Sequence, residues 1–427
     1  MIYISIGSNL GNRFNYLRRA VALLKESYLN NVSCSIVLET NCILPAGAPA
    51  KWNRPFLNMV VAGECDLSPD SLLQGLKDIE HEMGRPVAYE RWSPRIIDLD
   101  ILLWDNIHLD NDHLTIPHPE IHNRPFLMHL LELMGIDERT QQVLQNSPYL
   151  PVNCFTNSFT LSPSLVGIVN ITSDSFSDGG LCYAPDKAIE QAISHAANGA
   201  VVELGAQSTR PGAIIQGPEA EYQKLKPVLD GLEPFMKNGE MIVSIDTFRP
   251  EVIDKILNNY SISWINDVKG ELSDDILKAI SSHKCTICLM HSLGVPAQKD
   301  ILIPFDESPI DVIKNWAMKN IERFLSLGFS EESIIIDPGI GFGKCALQSI
   351  EIFQNLEALK DLNIKVLVGH SRKSFMQAFS VHPAKDRDTE TLAVSELIAY
   401  KADYLRVHNV DDHMRFFTAK HAINGAV

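Results

Sequence analysis

The sequence has little that would tie it to a membrane, to nucleic acid or to an oxidising compartment. No run approaches the roughly 20 apolar residues that span a bilayer. The opening Met1-Ile2-Tyr3-Ile4-Ser5-Ile6-Gly7 has no basic stretch ahead of its apolar residues, so it reads as a strand of the folded protein rather than a signal peptide. Positive charge is in deficit. The formal net charge is −16, both sides of residue 150 are acidic, and neither has the broad cationic footprint of a nucleic-acid or membrane-surface binder. Anionic small molecules therefore have to be met by local clusters of Arg, Lys and backbone amides. Cysteine is sparse too: 8 residues scattered over 427 make no disulfide framework. The C-x-x-C at Cys285-Thr286-Ile287-Cys288 lies in a strand-like run, where residues i and i+3 face opposite ways, so two core thiols are expected rather than a metal chelate. A reducing cytoplasm is the expected location.

What is present exceeds one core. A chain of 427 residues with 45% apolar and 21% charged residues is expected to form two globular domains. The first part runs broadly β-α-β-β-α-β, a ferredoxin-like α+β sandwich. Strands are expected at Ile2–Gly7, Val32–Thr40, Phe56–Cys65 and Ile96–Trp104, and helices at Asn12–Asn30, from the Ser68-Pro69 start to Gly84, and at Pro125–Met134. Few apolar periodicities and an Asn146-Ser147-Pro148 turn place a linker at 141–160, between a domain at 1–140 and another at 161–427.

The second part has a different rhythm. Strand-like runs at Leu165–Ile171, Ala200–Gly205, Met241–Thr247, Ile262–Val268, Lys284–Met290, Ser333–Asp337, Ile364–His370 and Asp403–Val407 alternate with helical stretches such as Asp186–Asn198, Pro250–Asn259, Ile310–Leu327 and Thr391–Ala402. This spacing suits a TIM (β/α)8 barrel; periodicity alone leaves a doubly wound open sheet possible. The barrel is favoured by the polar residues that close the runs: Asn170, Thr209 and Arg210, Asp246, Asn266, His291, Asp337, Lys373 and Ser374, Arg406 and His408. In a barrel these ends converge on one face. Arg and Lys there suit an anion, and Asp and Asn suit the donor–acceptor edge of a heterocycle.

In order along the chain, Asn170-Ile171-Thr172-Ser173-Asp174-Ser175-Phe176-Ser177-Asp178-Gly179-Gly180, Ser208-Thr209-Arg210-Pro211-Gly212, Asp337-Pro338-Gly339-Ile340-Gly341-Phe342-Gly343-Lys344, Ser371-Arg372-Lys373-Ser374 and Arg406-Val407-His408 resemble dihydropteroate synthases from about residue 162 onward. The third block is a poor Walker loop, with Pro338 at its first glycine and Cys345 at its Ser/Thr. The resemblance implies condensation of p-aminobenzoate with a dihydropterin pyrophosphate, and susceptibility to sulfonamides. It assigns Asp246, Asn266, Asp337 and Lys373 to the pterin, and Asn170, Arg210, Arg406 and His408 to pyrophosphate. Thr209, Arg210, Lys373 and Ser374 fall to p-aminobenzoate, whose carboxylate would meet a helix starting near Ser374, and Asn170 to one Mg2+. Asp246 and Lys373 are its catalytic pair. Two positions depart from the family pattern, Ser173 for a proline and Gln207 for a glutamate.

In the first part, Asp98 and Asp100 share one face of a strand while Ile97, Leu99 and Ile101 take the other. Two such carboxylates between arginines suit Mg2+ ions on nucleotide phosphates, although Asp-x-Asp alone is more often a half-exposed strand. With Gly7-Ser8-Asn9-Leu10-Gly11, Arg91–Asp100, Ile116-Pro117-His118 and Asn123-Arg124-Pro125-Phe126, residues 1–135 resemble 6-hydroxymethyl-7,8-dihydropterin pyrophosphokinases. The resemblance implies two Mg2+ at Asp98 and Asp100, and ATP contacts at Glu80, Trp92, His118 and Arg124. Arg85 and Arg95 would meet the transferring phosphates, and Asn58, Trp92 and Phe126 the pterin. Gly84–Arg95 is the candidate lid. Val87, His113 and Phe56 depart from the pattern.

Two other readings compete: a pterin-binding barrel that transfers methyl groups, disfavoured by the Ser371–Ser374 and Arg406–His408 blocks, and a first domain reduced to a scaffold, disfavoured by the retained Asp98 and Asp100. The family resemblance also suggests a homodimer through the barrel.

Overall fold

The computed structural model describes residues 1–45, 47–86, 88–90, 92–105, 107–136, 154–171, 185–207, 216–298 and 300–424. The chain forms two compact units, Met1–Leu161 with Met414–Val427, and Ser162–His413. No helix of the described residues is long and apolar enough to cross a membrane.

The first unit is built on an antiparallel sheet. Its strands are β1 (Ile2–Ser8), β2 (Asn30–Cys34), β3 (Val37–Thr40), β4 (Phe56–Glu64), β5 (Asp98–Trp104) and β8 (Asn157–Phe159), in the order β5-β1-β4-β3-β8 with β2 also on β4. A hairpin of β6 (Leu109–Asp110) and β7 (Thr115–Ile116) stands apart. Three helices belong to it: α1 (Arg13–Ser27), α2 (Pro69–Glu82) and α3 (Pro125–Leu133). Each starts where local chemistry sets it. Asn12 accepts from the Asn15 amide at 3.0 Å and Ser68 from the Ser71 amide at 3.3 Å, while Pro69 and Pro125 occupy first-turn positions that need no N–H.

Alternation along β1 divides the layers. Ile2, Ile4 and Ile6 are fully buried on the side of α1 and α2, whereas Tyr3 packs with Leu38, Val60, Leu102 and the inward face of α3. Asp98 lies opposite Gly7 and Asp100 opposite Ser5, so both carboxylates lie on the α3 side. The stretch expected as a linker holds a strand, β8. Phe159 sets its ring edge-on against Phe14 at 5.1 Å, a single apolar anchor too short to leave a period. The C-terminal end differs likewise from a barrel domain running to 427. His421 meets the Cys34 carbonyl at 2.7 Å and Ala422 packs on the first unit's core.

The second unit is a closed parallel barrel of β9 (Ser164–Asn170), β10 (Val201–Gly205), β11 (Val243–Asp246), β12 (Trp264–Asp267), β13 (Thr286–Met290), β14 (Ile334–Asp337), β15 (Lys365–Val368) and β16 (Tyr404–Val407), each paired with the next and β16 with β9. Closure excludes the open doubly wound sheet. Around it run α4 (Pro185–Ala197), α5 (Pro218–Lys237), α6 (Pro250–Asn259), α7 (Asp274–Ser282), α8 (Pro309–Ser326), α9 (Ala346–Gln354) and α10 (Asp388–Ile398). The last helix, α11 (Val410–Asn424), is counted with the first unit from Met414 on.

Period-2 alternation sorts the strands' side chains. Val202, Leu204, Ile245, Ile265, Ile287 and Leu289 join the core between strands and helices. Val166, Val201, Trp264, Cys288, Ile335 and Leu367 fill the barrel interior. Cys285 and Cys288 fall into these two different cores, as expected of core thiols facing opposite ways.

Two candidate active sites

The first site is a cavity of about 440 Å³ on the α3 face of the sheet. Asn58 and Asp98 flank Gly7 in register and form its floor. A Cβ at Gly7 would stand 3.2 Å from Asn58 Oδ1, so glycine keeps that floor open. Asn58 Nδ2 donates to Thr40 Oγ1 at 2.9 Å, which fixes its amide. Phe56, Trp92 and Phe126 line the walls, and the Arg95 guanidinium lies 5.7 Å from the Phe56 ring centre. Trp92 reaches the cavity from a backbone with φ of 74°, a conformation that bulky residues rarely adopt.

Charge is concentrated at one end. Arg85 Nη1 donates to Asp98 Oδ1 at 2.6 Å and pairs with Glu80 at 2.7 Å, and Arg95 Nη1 meets Asp98 Oδ2 at 3.0 Å. Burial works to raise the Asp98 acid, but Arg95 and Arg85 together hold it below its ordinary range. Asp100 goes the other way, raised by burial and then by the charge of Asp98. Arg124 stands 3.9 Å from it. Burial lowers the pKa of His118, and His118 Nδ1 accepts from the Glu120 amide at 3.1 Å.

The structure brings Asn58, Trp92, Arg95, Asp98, Asp100, Arg124 and Phe126 to one cavity. Glu80 and Arg85 are buried behind its wall. Glu80 accepts from the Leu99 amide at 2.8 Å and from Lys77 at 2.9 Å, and so anchors β5 from behind. His113 is exposed in the turn joining β6 and β7. Val87 and Arg91 lie outside the described residues.

The second site lies at the C-terminal ends of the barrel strands. Asn170, Gly205, Asp246 and Asn266 stand in one register row across β9 to β12. Asp337 closes β14, where its Oδ1 accepts from the Gly339 amide at 2.7 Å. Arg406 crosses this space. Its Nη2 donates to Asp246 Oδ2 at 2.8 Å and its Nε to Glu203 Oε2. Burial raises the Asp246 acid, against the pull of Arg406. Burial opposes the charge on Arg406, yet Glu203 and Asp246 hold its pKa above the ordinary value.

Lys373 is brought down to about 8 by burial. Its Nζ donates to the Ile340 carbonyl at 2.7 Å and lies 4.9 Å from the Phe342 ring centre. His408 Nδ1 and Ser371 Oγ are 2.9 Å apart. The helix expected at Ser374 is a short 3-10 turn, Ser374–Ala378, too brief for an anion-binding N-terminus, and Ser374 is exposed at its start. Gln207 Oε1 accepts from the Gln216 amide at 2.9 Å and ties residue 207 to residue 216. Ser173, Thr209 and Arg210 lie outside the described residues.

Sequence reasoning passed over Glu203, which joins this network from the interior at 1% exposure. Its signal was a lone acid in the apolar strand Val201-Val202-Glu203-Leu204-Gly205, at the inward-facing position of the alternation.

Among the described residues no three His, Cys, Asp or Glu gather as a metal cluster. The Asp98–Asp100 pair still fits Mg2+, which takes one or two carboxylates and completes its shell with water and phosphate oxygens. The mutual repulsion that raises Asp100 is what a bound cation relieves.

Comparison with known proteins divides the chain in the same way. Residues 3–135 match the family model described as 7,8-dihydro-6-hydroxymethylpterin-pyrophosphokinase (HPPK), and residues 166–408 match that of a pterin binding enzyme. The chain is 37% identical to the folate synthesis bifunctional protein of Chlamydia caviae, over 98% of this chain and 97% of that protein. The mitochondrial folate synthesis bifunctional protein of Arabidopsis thaliana is 32% identical, over 96% of this chain and 80% of that one. Among solved structures, a dihydropteroate synthase of Xanthomonas albilineans with 4-aminobenzoic acid is 29% identical, with a TM-score of 0.56, and covers 62% of this chain and 94% of its own. One from Anaplasma phagocytophilum with bound 6-hydroxymethylpterin-monophosphate is 31% identical, with a TM-score of 0.54, and covers 62% and 99%.

Proposed function

Because this chain belongs to the family of bifunctional folate-synthesis enzymes, a pyrophosphokinase followed by a pterin binding enzyme, we propose that the two constellations above are the working parts of consecutive reactions. The chain is a transferase twice over. It pyrophosphorylates 6-hydroxymethyl-7,8-dihydropterin from ATP with release of AMP, then condenses the product with p-aminobenzoate to 7,8-dihydropteroate with release of pyrophosphate. We assign the first step to the unit of Met1–Leu161 and the second to the barrel unit of Ser162–His413.

In the first site ATP is held through Glu80, Trp92, His118 and Arg124, with Glu80 acting from behind the wall. The pterin lies on the Asn58 floor between Trp92 and Phe126. Its hydroxyl attacks the β-phosphorus and AMP departs. Asp98 and Asp100 would hold two Mg2+, which when bound neutralise the phosphate oxygens and fix their geometry. Arg85 and Arg95, both already turned to Asp98, supply positive charge where the phosphates pass. Positioning and electrostatics account for most of the rate in such a transfer. The segment Gly84–Arg95 acts as the lid.

In the second site Asp246, Asn266, Asp337 and Lys373 read the pterin, while Asn170, Arg210, Arg406 and His408 take the pyrophosphate, Asn170 with one Mg2+. A departing pyrophosphate needs its growing charge neutralised, and the Asp246 carboxylate favours the cationic methylene left behind. Thr209, Arg210, Lys373 and Ser374 receive p-aminobenzoate, whose aniline nitrogen is neutral at pH 7 and needs no strong base. Sulfonamides, as mimics of p-aminobenzoate, compete there. The setting is cytoplasmic and the barrel pairs as a homodimer.

The observation that carries this reading is the register row Asn170–Gly205–Asp246–Asn266, which brings three polar side chains to one mouth of the barrel. Supplied with hydroxymethyl-dihydropterin, ATP, Mg2+ and p-aminobenzoate, the protein is expected to yield AMP and dihydropteroate, the latter suppressed competitively by a sulfonamide. AMP without dihydropteroate would leave only the first half standing.

A further inference from the structure

Among the buried acids of the barrel unit that none of these roles uses, Glu203 is the one bonded to two residues assigned to the site. Glu203 faces inward on β10, two residues above Val201 of the apolar interior layer. Both of its oxygens are engaged. Oε1 accepts from Asn266 Nδ2 at 3.0 Å, and Oε2 accepts from Arg406 Nε. Through Arg406 the chain continues to Asp246. Glu203 therefore joins a residue assigned to the pterin with one assigned to the pyrophosphate.

An ionised carboxylate accepts and cannot donate. Asn266 must then turn its NH2 toward Glu203, which leaves Oδ1 as its other end. That oxygen is buried and has no hydrogen-bond partner in the protein, a costly state unless a ligand supplies a donor. Stability alone does not explain an acid at this level. An apolar side chain of similar size, like those of the layer below, would pack without the cost of desolvating an ion pair. The charges point the same way. Glu203, Asp246 and Asp337 face Arg406 and Lys373, three acids to two bases, and although burial raises the Glu203 acid, the Arg406 guanidinium on its Oε2 favours the charged form.

We infer that Glu203 is a positioning residue of the synthase site: it fixes the Asn266 amide with Oδ1 as the free acceptor, so that the ring edge read there presents an N–H donor, and it holds Arg406 by Nε while Nη2 meets Asp246. This rests on the reading of Asn266 as a pterin contact, and the experiment separates the two.

In the full chain, Glu203→Gln keeps the shape but places a donor where two donors must be received. The KM for dihydropterin pyrophosphate is expected to rise about tenfold or more, with kcat changing less and the KM for p-aminobenzoate staying within about twofold. Asn266→Ala should raise the same pterin KM, and adding Glu203→Gln to it should have less effect than Glu203→Gln alone. AMP formation by the same preparations normalises the amount of active chain. An unchanged pterin KM in Asn266→Ala removes the premise, and the inference with it. A raised KM in Asn266→Ala, with no rise in Glu203→Gln or with fully independent effects, keeps the premise and overturns the role of Glu203. A fall in kcat with both KM values unmoved also overturns it, since that marks only a damaged barrel.

Discussion

His195 on α4 is 6% exposed, and a Cβ at Gly167 of β9 would stand only 2.5 Å from its ring, so strand and helix meet through an imidazole. Burial lowers its pKa to about 4, against about 6.5 in an unfolded chain. The unfolded state thus takes up the proton first as pH falls. The stability this neutral imidazole carries is whole above about pH 6.5 and is lost progressively toward pH 4. By pH 5 the loss is about 2 kcal/mol. Replacing it with glutamine, which does not titrate, should make the fall in unfolding free energy between pH 7 and pH 5 smaller by about 2 kcal/mol in urea denaturation. Equal pH slopes for the two proteins would show that the histidine is not buried neutral. Glu203 titrates with the opposite sign. Its raised acid adds stability as pH falls toward 5, so the difference between variant and parent is the informative quantity. Arg372 shows another way of fixing a side chain. Its backbone has a left-handed φ of 59°, and its guanidinium grips Asp388 at 2.6 and 2.8 Å, which anchors the turn carrying Ser371 and Lys373.

The smallest strand makes the sharpest statement at the scale of elements. β8 has three residues and adds to the edge of the first sheet at β3, with Phe159 6% exposed against Phe14. Removing a buried phenyl ring costs about 3–5 kcal/mol, so Phe159→Ala should lower the stability of the first unit by that order, read as loss of AMP-forming activity at lower urea. An unchanged midpoint would mean that the strand only lies on the sheet. Length decides what could be read in advance. The barrel strands were legible because each joins an apolar run to a polar end, and the glutamate buried in β10 was not, because one acid in five residues looks like noise until closure turns it inward. Alternation put Asp98 and Asp100 on one face of a strand, but only the motifs around them made the pair legible as a site. The role of Glu80 was not, since nothing local says that an acid on α2 will meet the amide of Leu99. The segment after Lys373 has the polar start of a helix, but it is a 3-10 turn that ends within five residues, too short for periodicity to tell the two apart.

Taken whole, the molecule makes an anionic intermediate at one site and consumes it at another while carrying a net charge of −16. Electrostatic guidance of a pyrophosphate ester needs a cationic track, and both parts of the sequence are acidic, with surface lysines engaged by neighbouring acids, as Lys226 is by Asp230 and Lys237 by Glu233. An anion released into such a field is repelled over roughly 10 Å at 0.1 M salt and passes to bulk water. The two activities should therefore complement in trans. A chain with Asp100→Asn, unable to form AMP, mixed with a chain with Asp246→Asn, unable to form dihydropteroate, is expected to make dihydropteroate after a lag at a rate comparable to that of half as much intact protein. The lag should shorten as total protein is raised, because the intermediate must accumulate in solution before the second site is supplied. If the mixture stays inactive while each variant keeps its remaining activity on supplied substrate, the intermediate does not travel through solution, and net charge is the wrong guide to its path.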